Sequence, residues 1–374
     1  MSNSSSLDPE TIISRISYFL AFEPRLSPAP PRAPTPAPAD RVSSLGMLDR
    51  LPPEITSALL DRLDMQSIAR FSRASFLANT FVRSNRACQE LFMFGRQALL
   101  TLGQVNLIGL HSTMDLHAAL RAEYCTACAR FGAFIFLLTC ERCCWHCISY
   151  NPVFRVAPRS EVGDYFGLSE QHVQRLPSLD FGPSLYHCLP QLYYYPWCLN
   201  RIPEPLVSIK AARDLGLMVH GSTEKLNQAM ARRCRSPSRL IVGQFFQRVP
   251  TVSQSRDPLF LLNETNVPEN DLLAVGSIPF PSLSRSGRVE NGLCCRGCHH
   301  NNILYTMKRV LLDKLGPLLP PDCPPPMVPR VLESMRTRAR RRESFLDHVK
   351  HCYSAQEVIS QLEEGIDPFM WPLE

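Results

Sequence analysis

Glycine, long apolar runs and catalytic signatures are all scarce in this sequence, and each shortage narrows what the chain can be. Its 374 residues hold 17 glycines against 33 prolines, a balance that predicts long stretches of little regular structure. No GxxxxGK[ST], no GxGxxG after a strand, no HExxH and no GxSxG occurs, so the usual enzyme constellations are missing and no catalytic role is expected. The longest apolar run, FGAFIFLLTC at 131–140, is about half a membrane span. The first 22 residues carry Asp8, Glu10 and Arg15, whereas a secretory leader needs a basic start and about 7–15 uninterrupted apolar residues. A soluble chain in the cytoplasm or nucleus is expected, with no membrane partner. Charge of one sign is also in short supply: the net charge is +6 with 20% charged residues, too mild an excess to argue for nucleic acid. The 45% hydrophobic content is ordinary for a chain that buries a core, and the length suits two or three domains or one large irregular one.

Cysteine is what the sequence does have. Six fall in EYCTACARFGAFIFLLTCERCCWHC, residues 123–147. In a reducing compartment such clusters are metal ligands more often than disulfides. Cys125-x2-Cys128, 15 residues, then Cys144-x2-Cys147 matches a four-cysteine zinc site, because each C-x-x-C turn offers two soft thiolates to one tetrahedral ion. Cys140-x2-Cys143 is the other candidate for the second pair, with 11 residues between. The intervening ARFGAFIFLL reads as a strand or hairpin. A RING finger fails because His146 abuts Cys147 and no later ligand pairs follow. The six-cysteine binuclear cluster fails because Cys140 lies too far from Cys128.

A second, split set is Cys295-x2-Cys298 with His348-x3-Cys352. SFLDHVKHCYSAQEV reads as one helix with Phe345, His348, Val349 and Cys352 on a single face. The ligands His348 and Cys352, four apart, then meet one ion. The 49 residues between Cys298 and His348 include the proline-rich LGPLLPPDCPPPMVP at 315–329, which reads as an excursion outside the core. His299, His300, His351 and Cys294 compete for ligand duty. Four ligands at each site leave no open position for water, so two zinc ions in structural roles are expected, each binding with on the order of 10–16 kcal/mol and supplying much of the folding free energy.

Residues 24–39, PRLSPAPPRAPTPAPA, form a polyproline-like spacer, and residues 1–44 read as a disordered segment. LGMLDRLPPEITSALLDRLDMQSIARFSRASFLANTFVRS follows. Pro52 and Pro53 precede a helix carrying Ile55, Leu59 and Leu63, and Asp64 caps a second helix with Ile68 and Phe71. Helices this short cannot cover their own apolar groups. They need the rest of the protein or another chain.

The stretch Leu48, Leu51, Pro52, Glu54 and Ile55, a leucine-rich helix and then IARFSRAS resemble an F-box. The order that follows, HSTMDLHAALRAEYCTACARFGAFIFL, TCERCCWHC, LVSIKAARDLGLMVHGS, SIPFPSLSRSGRVENGLCCRGC and FLDHVKHC, resembles the filamentous-fungal F-box proteins with a cysteine-rich middle, over about residues 45–360. The resemblance implies a three-helix F-box at 45–90 that binds a Skp-type adaptor and through it a cullin–RING (SCF) ubiquitin ligase. The cysteine-rich zinc-stabilised domain at 91–360 would then present an unknown protein substrate, ahead of a tail at 361–374. The adaptor contacts it implies are Leu51, Pro52, Pro53, Ile55, Leu59, Leu63, Ile68 and Phe71. The sequence departs from the common pattern at Ser75–Phe76, where many F-boxes carry tryptophan. The position of Cys143 is often apolar in such relatives, which favours Cys144 and Cys147 as ligands and leaves Cys140 an unexplained extra.

The fold class expected is mostly α with irregular α+β. Ser169 should cap a short helix, PLVSIKAARDLGL should form one stopped at Gly216, and Tyr193–Tyr195 reads as an aromatic core segment. The arginine groups at 232–239 and 336–344 read as a solvated loop and as the exposed face beside the ligand helix. Neither is interleaved with aromatics as a nucleic-acid groove would be. Two rivals stay open: a chromatin-associated zinc protein, and an F-box scaffold acting outside ubiquitin ligation.

Overall fold

A computed structural model of the chain describes residues 7–19, 43–180, 204–234, 236–247, 268, 270, 272–310, 312–320 and 323–365. The described residues are mostly helical with four small antiparallel sheets, in line with the mostly α class expected. The first helix corrects one expectation. Residues 9–18, read as disordered, form α1 (Pro9–Ile16) and β1 (Ser17–Tyr18). Asp8 caps α1 by accepting from the Glu10 amide at 2.8 Å, and Pro9 supplies a preset φ in the first turn. Ile12 and Ile16, four apart, are buried, and β1 pairs with Cys294–Cys295. This partner lies far along the chain, which is why local composition hid the element. The spacer at 24–39 and Tyr193–Tyr195 lie outside the described residues.

Six helices follow: α2 (Pro53–Arg62), α3 (Met65–Ser72), α4 (Phe76–Ser84), α5 (Arg86–Phe94), α6 (Arg96–Gln104) and α7 (Thr113–Arg121). Their starts are written in short polar side chains that occupy orphan amides. Asp64 accepts from the Ser67 amide at 2.8 Å, Ser75 from Ala78 at 3.1 Å and Asn85 from Cys88 at 2.9 Å. Ser112 and Asp115 form a reciprocal capping box on α7. Leu60, Met65 and Ile68 belong to the same apolar cluster as Leu91, Phe134 and Ile278, so the core runs without a break across residue 90.

Beyond α7 come β2 (Phe134–Phe136), β3 (Glu141–Cys143), α8 (Trp145–Tyr150) and β4 (Val156–Pro158). Next are α9 (Arg159–Phe166), α10 (Glu170–Val173), β5 (Ser178–Leu179), β6 (Leu206–Ser208), α11 (Ile209–His220), α12 (Thr223–Arg233) and α13 (Pro237–Gln247). The hairpin expected between the first two cysteine pairs is present: β2 pairs with β3, Phe134 opposite Cys143. Ser169 caps α10 as expected. Helix α11 runs through Gly216 and stops at Gly221, which has φ +82°. Gly216 is instead a close approach, since a Cβ there would lie 3.0 Å from Leu226 Cδ1 and 3.3 Å from Phe166 Cβ.

The last part holds β7 (Ser277–Pro279), β8 (Ser282–Leu283), β9 (Val289–Glu290), β10 (Cys294–Cys295), α14 (Arg296–Thr306), α15 (Leu312–Leu315), α16 (Val328–Arg336), α17 (Arg342–Val349) and α18 (Tyr353–Glu363). Strand β7 completes the hairpin sheet in the order β3-β2-β7, and β6 lies between β4 and β5. A second apolar cluster joins α1 to this region through Leu315, Leu318, Val328, Phe345 and Ile359. The described parts of the proline-rich stretch therefore contribute core and are no excursion: Pro317 and Pro325 lie in short 3-10 turns, beside which Leu315, Leu318 and Val328 are buried. The single helix expected at 345–352 is also two helices: α17 ends at Val349, three successive i→i+3 bonds turn the chain, and Cys352 is the residue before α18.

Candidate metal centres

The first centre is built from a turn, a hairpin and a helix start. The Cys125 amide donates to Arg130 O at 2.7 Å, and the Ala129 amide to Cys125 O at 3.0 Å. Ala129 closes this knuckle at φ +55°. The β2–β3 hairpin then returns the chain so that Cys144 stands just before α8 and Cys147 in its first turn. The second centre repeats the device twice. Cys295 precedes α14 with Cys298 in the first turn, while His348 lies in the last turn of α17 and Cys352 precedes α18. The three cysteines that directly precede helices, Cys144, Cys295 and Cys352, thus sit where the helix amides favour a thiolate.

Within each group, the ligating atoms of Cys125, Cys128, Cys144 and Cys147, and of Cys295, Cys298, His348 and Cys352, all lie within 4.8 Å of one another. Cys128 Sγ is 3.5 Å from Cys144 Sγ. Cys352 Sγ lies 3.8 Å from Cys295 Sγ and 4.0 Å from Cys298 Sγ, and His348 Nε2 is 3.1 Å from Cys298 Sγ. A tetrahedron with metal–sulfur bonds of about 2.3 Å has sulfur–sulfur edges of about 3.8 Å, so the donor sets fit one four-coordinate ion each. Every described cysteine is free of disulfides. Both groups could hold a metal ion with all four positions supplied by protein.

Electrostatics agrees with the geometry. Hydrogen bonds from Cys125, then from Cys144 and Cys147, hold the Cys128 thiol far below its ordinary value. Cys298 and then Cys352 do the same for Cys295. In each group one thiolate is stabilised by protonated neighbours. Four thiolates in the first group, or three in the second, cannot coexist this close together without a cation, and a divalent ion removes that conflict. Outside the ligand set, Asn301, itself fully buried, donates to Cys352 Sγ at 3.4 Å and accepts from Ser354, fixing the orientation of that thiol.

The competing cysteines and histidines fall elsewhere. Cys143 opposes Phe134 inside the hairpin and burial drives its thiol well up, while burial pushes Cys140 up to about 12, Asp115 and Glu141 adding to it. Both behave as neutral core thiols. Cys294 pairs with Tyr18 in the β1–β10 ladder. His299 Nδ1 faces Arg336 and His300 Nδ1 faces Ser354 Oγ, and His351 is exposed.

The apolar residues of the front helices divide into two faces. Ile55 and Leu59 on α2 are 50% and 44% exposed, and Leu51, Pro52 and Pro53 are exposed beside them. Met47 and Phe76 are exposed as well. Leu63 and Phe71 are half-buried. Ile68 has no exposed surface at all, so this member of the expected contact set is core and has nothing to offer a partner.

The described arginines of the first group are solvated as expected but lie on helices α12 and α13 rather than in a loop, and the second group is corrected. Arg239 on α13 lies 2.9 Å from Asp164, and Arg233 3.7 Å from the same carboxylate, so the first group ties three helices together. In the second, Arg340 is buried, Arg341 pairs with Glu123 at 2.9 Å and Arg342 with Glu10 at 2.9 Å. Helix α1 and the first knuckle are what draw these cations inward.

Two sets of residues escaped the sequence. Arg142 is almost fully buried and donates to Ala119 O and Phe280 O, each at 3.0 Å, and to Gly132 O and Pro281 O. Burial holds it down to about 10, so it stays cationic at neutral pH. Nothing in CERCC marks an arginine as interior. The second set is Arg130 and Arg338, which stand between the two centres. Burial holds Arg338 down to about 10, with Arg340 and Arg130 adding and the Cys144 and Cys128 thiols opposing. Compared with family models, with curated proteins and with solved structures, the chain matches none, so its function must be read from its own residues.

Proposed function

We propose that the chain is an F-box substrate receptor: the front helices bind a Skp-type adaptor, and the rest, held by two structural zinc ions, carries a protein target to a cullin–RING ubiquitin ligase. The observation that carries this reading is the exposed row Leu51, Pro52, Pro53, Ile55 and Leu59, placed opposite residues that close the protein's own core. A contiguous apolar face on short, otherwise well-packed helices calls for a helical partner. Zinc is the ion of choice because three or four thiolates in a closed tetrahedron suit it and leave no site for catalysis. The chromatin alternative loses support because three of the arginines that suggested it, Arg341, Arg239 and Arg342, are paired with Glu123, Asp164 and Glu10.

Co-expression with a Skp-type adaptor followed by gel filtration tests the reading. The wild type should elute as a one-to-one complex, and Ile55→Asp/Leu59→Asp should elute free of adaptor, still folded and with its metal. A zinc-loaded wild type that ignores the adaptor overturns the proposal. An adaptor complex that no cullin joins would move the protein to the scaffold alternative.

A further inference from the structure

Between the two metal centres lies a cavity of about 340 Å³, at the small end of the range for ligand sites. Its polar wall is made by Arg130, Ser334, Arg338 and His351, and Leu318, Leu319 and Met335 make much of the apolar one. No acidic residue lines it. Arg130 donates to Ser334 Oγ at 3.3 Å, and among the described residues neither Arg130 nor Arg338 has a carboxylate partner. Other arginines of the same segment do: Arg341 and Arg342 are paired with Glu123 and Glu10.

Two half-buried guanidinium groups without counter-carboxylates, beside an apolar wall, make a site for an anion that carries a large apolar group close to it. Part of the charge of Arg338 is offset by the Cys144 and Cys128 thiols of the first centre, and Arg338 still lines the cavity. The small volume limits the distance between the anion and the apolar group to a few ångströms. A peptide C-terminus has this form, with a carboxylate and a side chain on one Cα. Guanidinium is the side chain best shaped for a carboxylate.

We infer that this cavity binds the C-terminal residue of a peptide chain, its carboxylate on Arg130 and Arg338 and a leucine-sized side chain on Leu318, Leu319 and Met335. The inference rests on the receptor reading only in calling that peptide a substrate. Both centres shape the cavity, since Arg130 follows the Cys125–Cys128 knuckle, His348 is a ligand of the second centre and also lines it, and α16 forms a wall.

The test uses the full zinc-loaded chain and an N-terminally labelled peptide, Gly-Gly-Gly-Ala-Leu, followed by fluorescence anisotropy. A free C-terminus should bind tenfold or more tightly than the amide, since one charge-assisted contact contributes about that much. Replacing the last leucine by glycine should also weaken binding. Arg338→Gln should remove the preference for the acid. Leu319→Asp, which places a carboxylate on the apolar wall, should abolish binding with two metal ions retained, and it decides the matter if Arg338→Gln loses metal. Equal binding of acid and amide, no binding of either, or competition by inorganic phosphate with indifference to the last side chain would each overturn the inference. The same preparations go through gel filtration with the adaptor. Peptide binding without adaptor binding would leave the cavity in place and remove the receptor reading, and adaptor binding without peptide binding the reverse.

Discussion

Replacing Arg142 with methionine keeps much of the side chain's length and removes its cation and all five donors. In the native protein those donors serve four carbonyls from three separate segments: Ala119 at the end of α7, Gly132 before β2, and Phe280–Pro281 after β7. The guanidinium also lies 5.3 Å from the Phe280 ring centre. Each bond to a charged donor contributes about 1.5–3 kcal/mol, so four give roughly 6–12 kcal/mol gross. Against this stands a desolvation cost of several kcal/mol for a buried ion. The substitution should therefore cost about 3–5 kcal/mol, a large part of an ordinary domain's roughly 5–15 kcal/mol. With a urea slope near 2–3 kcal/mol per molar, the midpoint should fall by about 1–2 M. Gly132→Ala supplies an independent check, because its Cβ would stand 2.5 Å from Arg142 Cγ and push the same side chain out of place. Urea denaturation of the metal-loaded protein, followed by circular dichroism and by release of metal to a chelating dye, reads both variants. An unchanged midpoint for Arg142→Met would refute the idea that this cation staples the first centre's hairpin to the strand beside it.

Two further outcomes follow from close contacts elsewhere. Gly297→Ala should cut metal content from two ions per chain to one, because the new Cβ would lie 2.6 Å from the Ala355 amide nitrogen and 2.9 Å from Cys352 Sγ; elemental analysis of the purified chain checks it, and full loading would sink it. Glu90 joins α5 to α7 through His117 at 2.7 Å and Arg121 Nε at 2.8 Å; burial alone would raise its carboxyl, but Arg86, His117 and Arg121 hold it at about 2, below its ordinary 4.5. A depressed carboxyl contributes its full stabilisation above about 4.5 and loses it as the pH falls toward 2. Glu90→Gln should thus be less stable than wild type by about 1 kcal/mol near pH 7, with the difference shrinking over that acidic window. Paired denaturation series at several pH values would expose a constant difference, which would mean the loss is steric.

Much of the metal chemistry was legible because ligand spacing is local. A C-x2-C turn places two thiols on one ion whatever surrounds it, and Cys144 rather than Cys140 begins the second pair because the hairpin must close before the ligands can meet. His348 and Cys352 were paired for a reason that proved different: they meet across a tight turn between α17 and α18, and not along one helix face. The errors share a cause. Asp8-Pro9 is a strong helix start, yet without sight of Cys294 and Cys295 the segment had nothing to fold onto. Ile68 and Phe71 share α3 with no local mark telling the core-facing residue from its half-exposed neighbour. Arg338 and Arg340 read as surface because an arginine's burial depends on carbonyls and thiols that arrive from other parts of the chain.

The second centre also sets an order of events on the ribosome. Its ligands come from residues 295–298 and 348–352, and the strand beside Cys295 is supplied by Ser17. The front helices, whose contacts are mostly local, can form while most of the chain is still being made. Ser17 and Tyr18 must wait about 275 residues of synthesis before Cys294 and Cys295, their partners, are made. Until Cys352 leaves the exit tunnel, Cys295 and Cys298 have no complete site and α1 has no surface to cover. A chain that stops short of Cys352 therefore exposes thiols and the apolar side chains of α1 together, and an ion held at the second centre would mark a molecule translated past Cys352.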